Sequence, residues 1–64
     1  MAYFPKYDGG GVSLVDALDE LGYNSSYAAR EAIAMANGID DYKGTRQQNT
    51  ILLNKLKKGT LIKP

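Results

Sequence analysis

Tyr42-Lys43-Gly44-Thr45-Arg46-Gln47-Gln48-Asn49-Thr50-Ile51-Leu52-Leu53-Asn54-Lys55-Leu56-Lys57-Lys58-Gly59-Thr60-Leu61-Ile62-Lys63-Pro64 carries a complete helix signature. Thr45 and Gln48 have capping-box spacing, in which each side chain satisfies an amide left open at a helix start. Leu52, Leu53 and Leu56 recur at helical spacing, and Gly59 supplies a left-handed stop. The stretch predicts an amphipathic helix over about 46–57, then an apolar–polar tail over about 60–63 that suits a short strand.

Working back from that helix, Ile39-Asp40-Asp41-Tyr42-Lys43-Gly44 reads as a loop, with Ile39 tucked under the element before it. Asn37-Gly38 is a C-terminal stop, and Ser25 or Ser26 caps an alanine-rich helix over about 26–36. Its small side chains allow close approach of neighbours, while Ile33 and Met35 fill volume. Ser13 opens an earlier helix over about 14–21, with Asp16 in the reciprocal capping position and Gly22 as its end. Leu14, Val15, Leu18 and Leu21 form its buried stripe. Residues 9–11 are a glycine turn, and residues 2–8 an aromatic arm. Pro5 lacks an amide proton, so the arm suits an edge strand. The expected fold class is α+β: three short helices packed with a small antiparallel pairing of the N-terminal and C-terminal strands, in one domain over 1–64.

A chain of 64 residues buries only about 60% of its unfolded surface, so stability is marginal and a partner or a larger parent chain is expected to compensate. There is no cysteine and no histidine, which removes a disulfide framework and the ordinary zinc ligands. Lys and Arg number 8 against 7 acids, a net charge of +1 that argues against a polyanionic nucleic-acid partner. The charge is unevenly spread: Asp16, Asp19 and Glu20 lie early, whereas Lys43, Arg46, Lys55, Lys57, Lys58 and Lys63 occupy the second half without an acid among them. Lysines near a helix C-terminus also complement its dipole. No apolar run reaches the roughly 18 residues of a membrane span. The start, Met1-Ala2-Tyr3-Phe4-Pro5-Lys6, has no apolar core region of a signal peptide. A soluble module is expected, with no membrane partner.

Hydrolytic chemistry needs a poised histidine, an activated nucleophile or a carboxylate pair in a cleft. Asp16, Asp19 and Glu20 read instead as a solvated helix face. Asp40-Asp41 lacks the alternating ligand spacing of a calcium loop, and no Lys-Ser/Thr follows the glycines as a phosphate loop requires. No catalytic residue, metal site or cofactor is expected. The aromatic set is more informative: the 5 tyrosines stand at 3, 7, 23, 27 and 42, without a tryptophan. A flat apolar face with a polar tip suits sugar rings. Tyr3, Tyr7 and Tyr42 are the expected solvent-reaching members, and Tyr27 the core one. Arg30 offers a planar fork for a ligand carboxylate, or for an internal acid or carbonyls. Asn49 shares the apolar side of its helix and reads as a ligand contact or as an amide fixing the preceding loop. Tyr3, Tyr7, Tyr42, Arg30 and Asn49 are therefore the candidate ligand-binding residues.

Taken in order, Tyr3-Phe4-Pro5-Lys6-Tyr7, Ser13-Leu14-Val15-Asp16-Ala17-Leu18, Gly22, Ser25-Ser26-Tyr27, Arg30, Ile33-Ala34 and Asn37-Gly38-Ile39 form the first half of a pattern. Tyr42, Gly44-Thr45, Gln48-Asn49-Thr50, Leu52-Leu53, Leu56-Lys57, Gly59 and Leu61-Ile62-Lys63 complete it. The chain resembles, in this order and spacing, the C-terminal cell-wall-binding domains of bacteriophage endolysins and bacterial N-acetylmuramoyl-L-alanine amidases. The resemblance implies a non-catalytic targeting half of a peptidoglycan hydrolase, made in the host cytoplasm and acting at the cell wall. Its implied ligand is Gram-positive peptidoglycan or a wall-attached secondary polymer. It also implies assembly with a full-length endolysin or with itself, as for members translated separately from an internal start; Met1 reads either as such a start or as the start of a cloned domain. This sequence departs from the pattern at Asp8, Arg46-Gln47, Ile51 and Lys55. Ile51, off the main apolar stripe, leaves apolar surface that suits a subunit contact, and Phe4, Ile51 and Ile62 are the candidate contacts between copies. Two alternatives are a small helix-turn-helix-like DNA-binding protein and an oligomerisation adaptor without glycan affinity. The loop before the last helix is longer than a helix-turn-helix allows.

Overall fold

Three side-chain caps set the three helices of the computed structural model, which describes residues 2–64; Met1 and its reading as an internal start lie outside the described residues. The amide of Asp16 donates to Ser13 Oγ at 3.1 Å and opens α1, Leu14–Glu20. The amide of Ala29 donates to Ser26 Oγ at 3.2 Å and opens α2, Tyr27–Ala36. At α3, Arg46–Lys58, both arms of the capping box are made: Gln48 N donates to Thr45 Oγ1 at 3.1 Å, and Thr45 N to Gln48 Oε1 at 3.4 Å. Gln48 also fastens the loop ahead of the helix, accepting from Lys43 N at 2.8 Å and donating to the Asp41 carbonyl at 2.8 Å.

The helix ends are equally local. Beyond α2, Gly38 takes a φ of 87°, where a side chain would strain the backbone, and Ile39 N returns to the Ala34 carbonyl at 2.8 Å. This Schellman closure satisfies carbonyls of the last turn and swings Ile39 against the core. Tyr23 N closes α1 onto the Leu18 carbonyl in the same way at 2.9 Å.

α1 lies directly against α3. Leu14, Ala17 and Leu18 of α1 face Leu52, Leu53 and Leu56 of α3, with Ile33 and Ala34 of α2 and Leu61 of the tail completing the aliphatic core. Ala17 stands in the stripe where Val15 was expected; Val15 is only half-buried. Three rings, Phe4, Tyr7 and Tyr42, are also interior, so the core is less aliphatic than the sequence suggests.

The expected α+β class is overturned: the described residues form an all-α fold without strand or sheet. The arm and the tail do run antiparallel, but they meet in a single bridge between Tyr3 and Ile62. Phe4 N donates to the Leu61 carbonyl at 2.9 Å, and Lys63 N to the Ala2 carbonyl at 2.8 Å. A ladder cannot grow from there toward the core. The next hydrogen-bonded pair in this register would be Lys6 with Gly59, but Gly59 is the left-handed cap of α3 with a φ of 74°, its amide donating to the Leu56 carbonyl at 3.1 Å. Tyr7 N then turns to the Leu56 carbonyl at 3.1 Å, at the end of α3. The other edge of the tail is met by a side chain: Ile62 N donates to Asn37 Oδ1 at 2.9 Å, and Asn37 Nδ2 donates to the Ile62 carbonyl at 2.9 Å and the Ile33 carbonyl at 2.8 Å. One amide thus replaces a neighbouring strand.

Candidate functional site

The aromatic residues are sorted differently from expectation. Tyr7 and Tyr42, expected to reach solvent, are 4% and 5% exposed, whereas Tyr27, expected in the core, is 48% exposed. Tyr3 does reach solvent, at 51%. The inversion has a steric cause. Tyr42 occupies the interior beside α3, and the Tyr27 ring lies over it at 5.5 Å between centroids, its hydroxyl donating to the Tyr42 carbonyl at 3.1 Å.

Three of the five candidate binding residues come together. Arg30, on α2, donates from Nε to the Ser25 carbonyl at 3.0 Å and from Nη1 to the Tyr42 hydroxyl at 3.0 Å. The Tyr42 hydroxyl donates in turn to Asn49 Oδ1 on α3. Guanidinium, phenol and amide therefore form a polarised relay that ties α2 to α3 through the intervening loop. Arg30 Cζ also sits 5.7 Å from the Tyr27 ring centroid. Tyr3 and Tyr7 take no part in this cluster.

Tyr7 belongs to a second arrangement. Its hydroxyl donates to the Glu20 carboxylate and accepts from Gly11 N. The hydrogen bond to Glu20, reinforced by burial, holds the phenol's pKa above the usual tyrosine value. The glycine turn is a fitted cover over this ring rather than a loose tether. A Cβ at Gly9 would fall 2.6 Å from the Tyr7 ring, and one at Gly11 2.5 Å from its hydroxyl.

On its outer side the relay backs onto a cleft of about 400 Å³ between the starts of α1 and α3, within the roughly 300–1,000 Å³ span of small-ligand sites. Val12, Ser13, Leu14, Asn49, Thr50 and Leu53 line it, with Gly44 and Arg46 at its edge. Val12 is 87% exposed at the rim, an isolated aliphatic group on a mixed polar and apolar wall. A shallower hollow of about 300 Å³ lies elsewhere, walled by Phe4, Tyr23, Ala29, Ala32 and Ile33 with Lys63 across it. There Phe4 and Tyr23 meet edge to face at 5.0 Å, and the Lys63 ammonium lies 5.1 Å from the Tyr23 ring centroid.

Among the candidate subunit contacts, Ile51 is exposed on α3, Phe4 is buried in this chain's own core, and Ile62 is half-buried and held by Asn37. Among the described residues no group of three or more acidic side chains is placed to share a metal ion, and no helix is long and apolar enough to cross a membrane. Sequence reasoning missed the role of Asn37, whose partner stands 25 positions away. It also missed the Phe4–Tyr23–Lys63 group, which only the tertiary fold assembles.

Two curated phage proteins are similar to this chain over part of its length. The endolysin of Listeria phage A511 is 44% identical over 48 residues, which are 75% of this chain and 14% of that protein. The L-alanyl-D-glutamate peptidase of Listeria phage A118 is 46% identical over 48 residues, 75% of this chain and 17% of its own length. No family model matches the chain, and no solved structure matches it. The chain is related to segments of phage endolysins and spans less than a fifth of the relatives it matches.

Proposed function

We propose that this endolysin-related chain is a non-catalytic cell-wall-binding module, which directs a phage lysin to Gram-positive peptidoglycan or to a wall-attached polysaccharide. The observation that carries the reading is the shared segment: 48 residues, at 44% and 46% identity, recur in two phage proteins of which they are a minor part. A short segment common to longer lytic proteins is what a targeting module produces. The composition supports a binding role, since the chain brings neither histidine nor cysteine to a hydrolytic reaction. Its partly buried Arg30–Tyr42–Asn49 relay is committed to holding elements in place beside the cleft.

The module is made in the host cytoplasm and acts at the wall. Assembly with a full-length lysin, or with further copies through the exposed Ile51, would raise a weak wall affinity by about 10²- to 10⁴-fold through multivalency. The DNA-binding alternative is not favoured, because the relatives are phage endolysin and peptidase. Co-sedimentation with purified Listeria walls tests the reading, with walls stripped of secondary polymers as the second arm. Retention on intact walls is expected. A chain left in the supernatant of every Gram-positive wall would overturn the proposal.

A further inference from the structure

The relay beside the cleft fixes which way one amide faces, and that orientation has a chemical meaning. A guanidinium only donates. Because Arg30 Nη1 donates to the Tyr42 oxygen, the hydroxyl proton must go onward, and Asn49 receives it on Oδ1. The reversed amide would aim two donors at the phenol and leave its proton without an acceptor. The oxygen of Asn49 is thereby turned inward, and its NH₂ is the part of the side chain left for the cleft that it lines.

The other walls supply complementary groups. The Thr50 hydroxyl donates to the Arg46 carbonyl at 2.8 Å, so the oxygen it brings to the cleft lining is left as an acceptor. Ser13 Oγ accepts from Asp16 N at 3.1 Å, leaving its proton as a donor. Leu14 and Leu53 form a buried apolar floor, and Val12 an exposed apolar rim. The cleft thus offers a donor pair fixed in direction, an acceptor close by in sequence on the same helix, and an aliphatic surface. An acetamido group needs that combination: a carbonyl to accept, an N–H to donate and a methyl to bury. Arg46 at the edge supplies donors for ring hydroxyls.

We propose that the cleft lined by Val12, Leu14, Asn49, Thr50 and Leu53 binds an N-acetylated sugar residue, with the Asn49 NH₂ donating to the acetamido carbonyl and Thr50 accepting from its N–H. The proposal rests on the wall-binding reading for its biological ligand, but the chemistry of the cleft stands apart from it.

The test titrates the isotope-labelled chain with triacetylchitotriose, and separately with cellotriose, which bears a hydroxyl in place of each acetamido group. Amide shifts confined to residues lining the cleft are expected with the first sugar and not with the second. The decisive variant is Asn49→Asp. It keeps an inward oxygen for the Tyr42 proton and replaces the outward donor with an acceptor, near a helix start where an acid is tolerated. Unchanged thermal stability and binding about tenfold weaker or worse are expected. Thr50→Val should weaken binding in the same direction. Shifts that gather around Tyr23 and Lys63, equal response to both sugars, or undiminished binding by Asn49→Asp would each overturn the proposal. Wall co-sedimentation of the same variant separates the two readings. Walls that retain the parent chain and Asn49→Asp equally remove the cleft and leave wall targeting intact. Cleft shifts with triacetylchitotriose in a chain that walls do not retain would keep the cleft and remove the targeting.

Discussion

Tyr42→Phe removes one oxygen from the interior and leaves the ring in place. Two hydrogen bonds go with it, the one received from Arg30 Nη1 at 3.0 Å and the one given to Asn49 Oδ1. Each is worth about 0.5–1.5 kcal/mol net, more where a charge takes part, and an interior group left unpaired adds to the loss. Arg30 and Asn49 are only half-buried, so water reaches both and lowers the penalty. Arg30 also retains its bond to the Ser25 carbonyl. A loss of about 1–2 kcal/mol follows, a shift of roughly 5–15 °C in the melting temperature of so small a domain. The assay is a thermal and urea melt of the single variants and of a double-mutant cycle with Asn49→Ala. A coupling energy of about 0.5–1.5 kcal/mol is expected between positions that share a bond. Tyr27→Phe serves as the comparison, because it gives up one bond from a half-exposed ring and should cost no more than about 0.5 kcal/mol. A Tyr42→Phe chain that melts with the parent, or a coupling energy of zero, would refute the relay as the link between α2 and α3.

Asn37→Ala should cost about 2–3 kcal/mol, since it leaves both backbone groups of Ile62 without a partner; amide exchange at Phe4 and Lys63 should accelerate before that of α1 and α3. Gly11→Ala drives a methyl into the Tyr7 hydroxyl and should destabilise by about 1–3 kcal/mol. Gly10→Ala, with open space around it, should stay within about 0.5 kcal/mol by the same denaturant melt. The raised pKa of Tyr7 means that the folded state favours the protonated phenol. Its contribution is complete below the unfolded tyrosine pKa of about 10 and is lost as pH rises through the folded value. Melting temperature should therefore fall in that alkaline window for the parent chain and fall less for Tyr7→Phe.

The helices were legible because their signals are local. Ser13 with Asp16, Ser26 ahead of Tyr27, and Thr45 with Gln48 act within a turn of where they stand, and the glycines after each helix close it within two residues. The terminal pairing was misread for the opposite reason. The apolar pair Leu61-Ile62 and an aromatic arm look like two strands, but the use of Gly59 as the left-handed cap of α3 stops the ladder after one bridge. The decisive partner, Asn37, carried only the mark of a helix stop. Tyrosine exposure was misread because a ring's depth is set by what packs over it. Nothing near Tyr42 in sequence announces that Tyr27 will lie across it. At the candidate site, Arg30 and Asn49 could be picked out singly as donors and amides out of place on apolar faces. That one phenol would join them depends on the path of the loop between α2 and α3.

The meeting of arm and tail has a mechanical consequence. Ala2 and Lys63 are hydrogen-bonded neighbours, so polypeptide attached at either end leaves from the same edge of the molecule. A pull that separates the two ends peels the bridge and the Asn37 clasp one bond after another, in unzipping geometry. The same pull applied to a single end, against a ligand held in the cleft between α1 and α3, loads the helices broadside through their packed leucines. The domain should yield easily to the first force and resist the second, as a latch opens by its tongue and holds against its hinge.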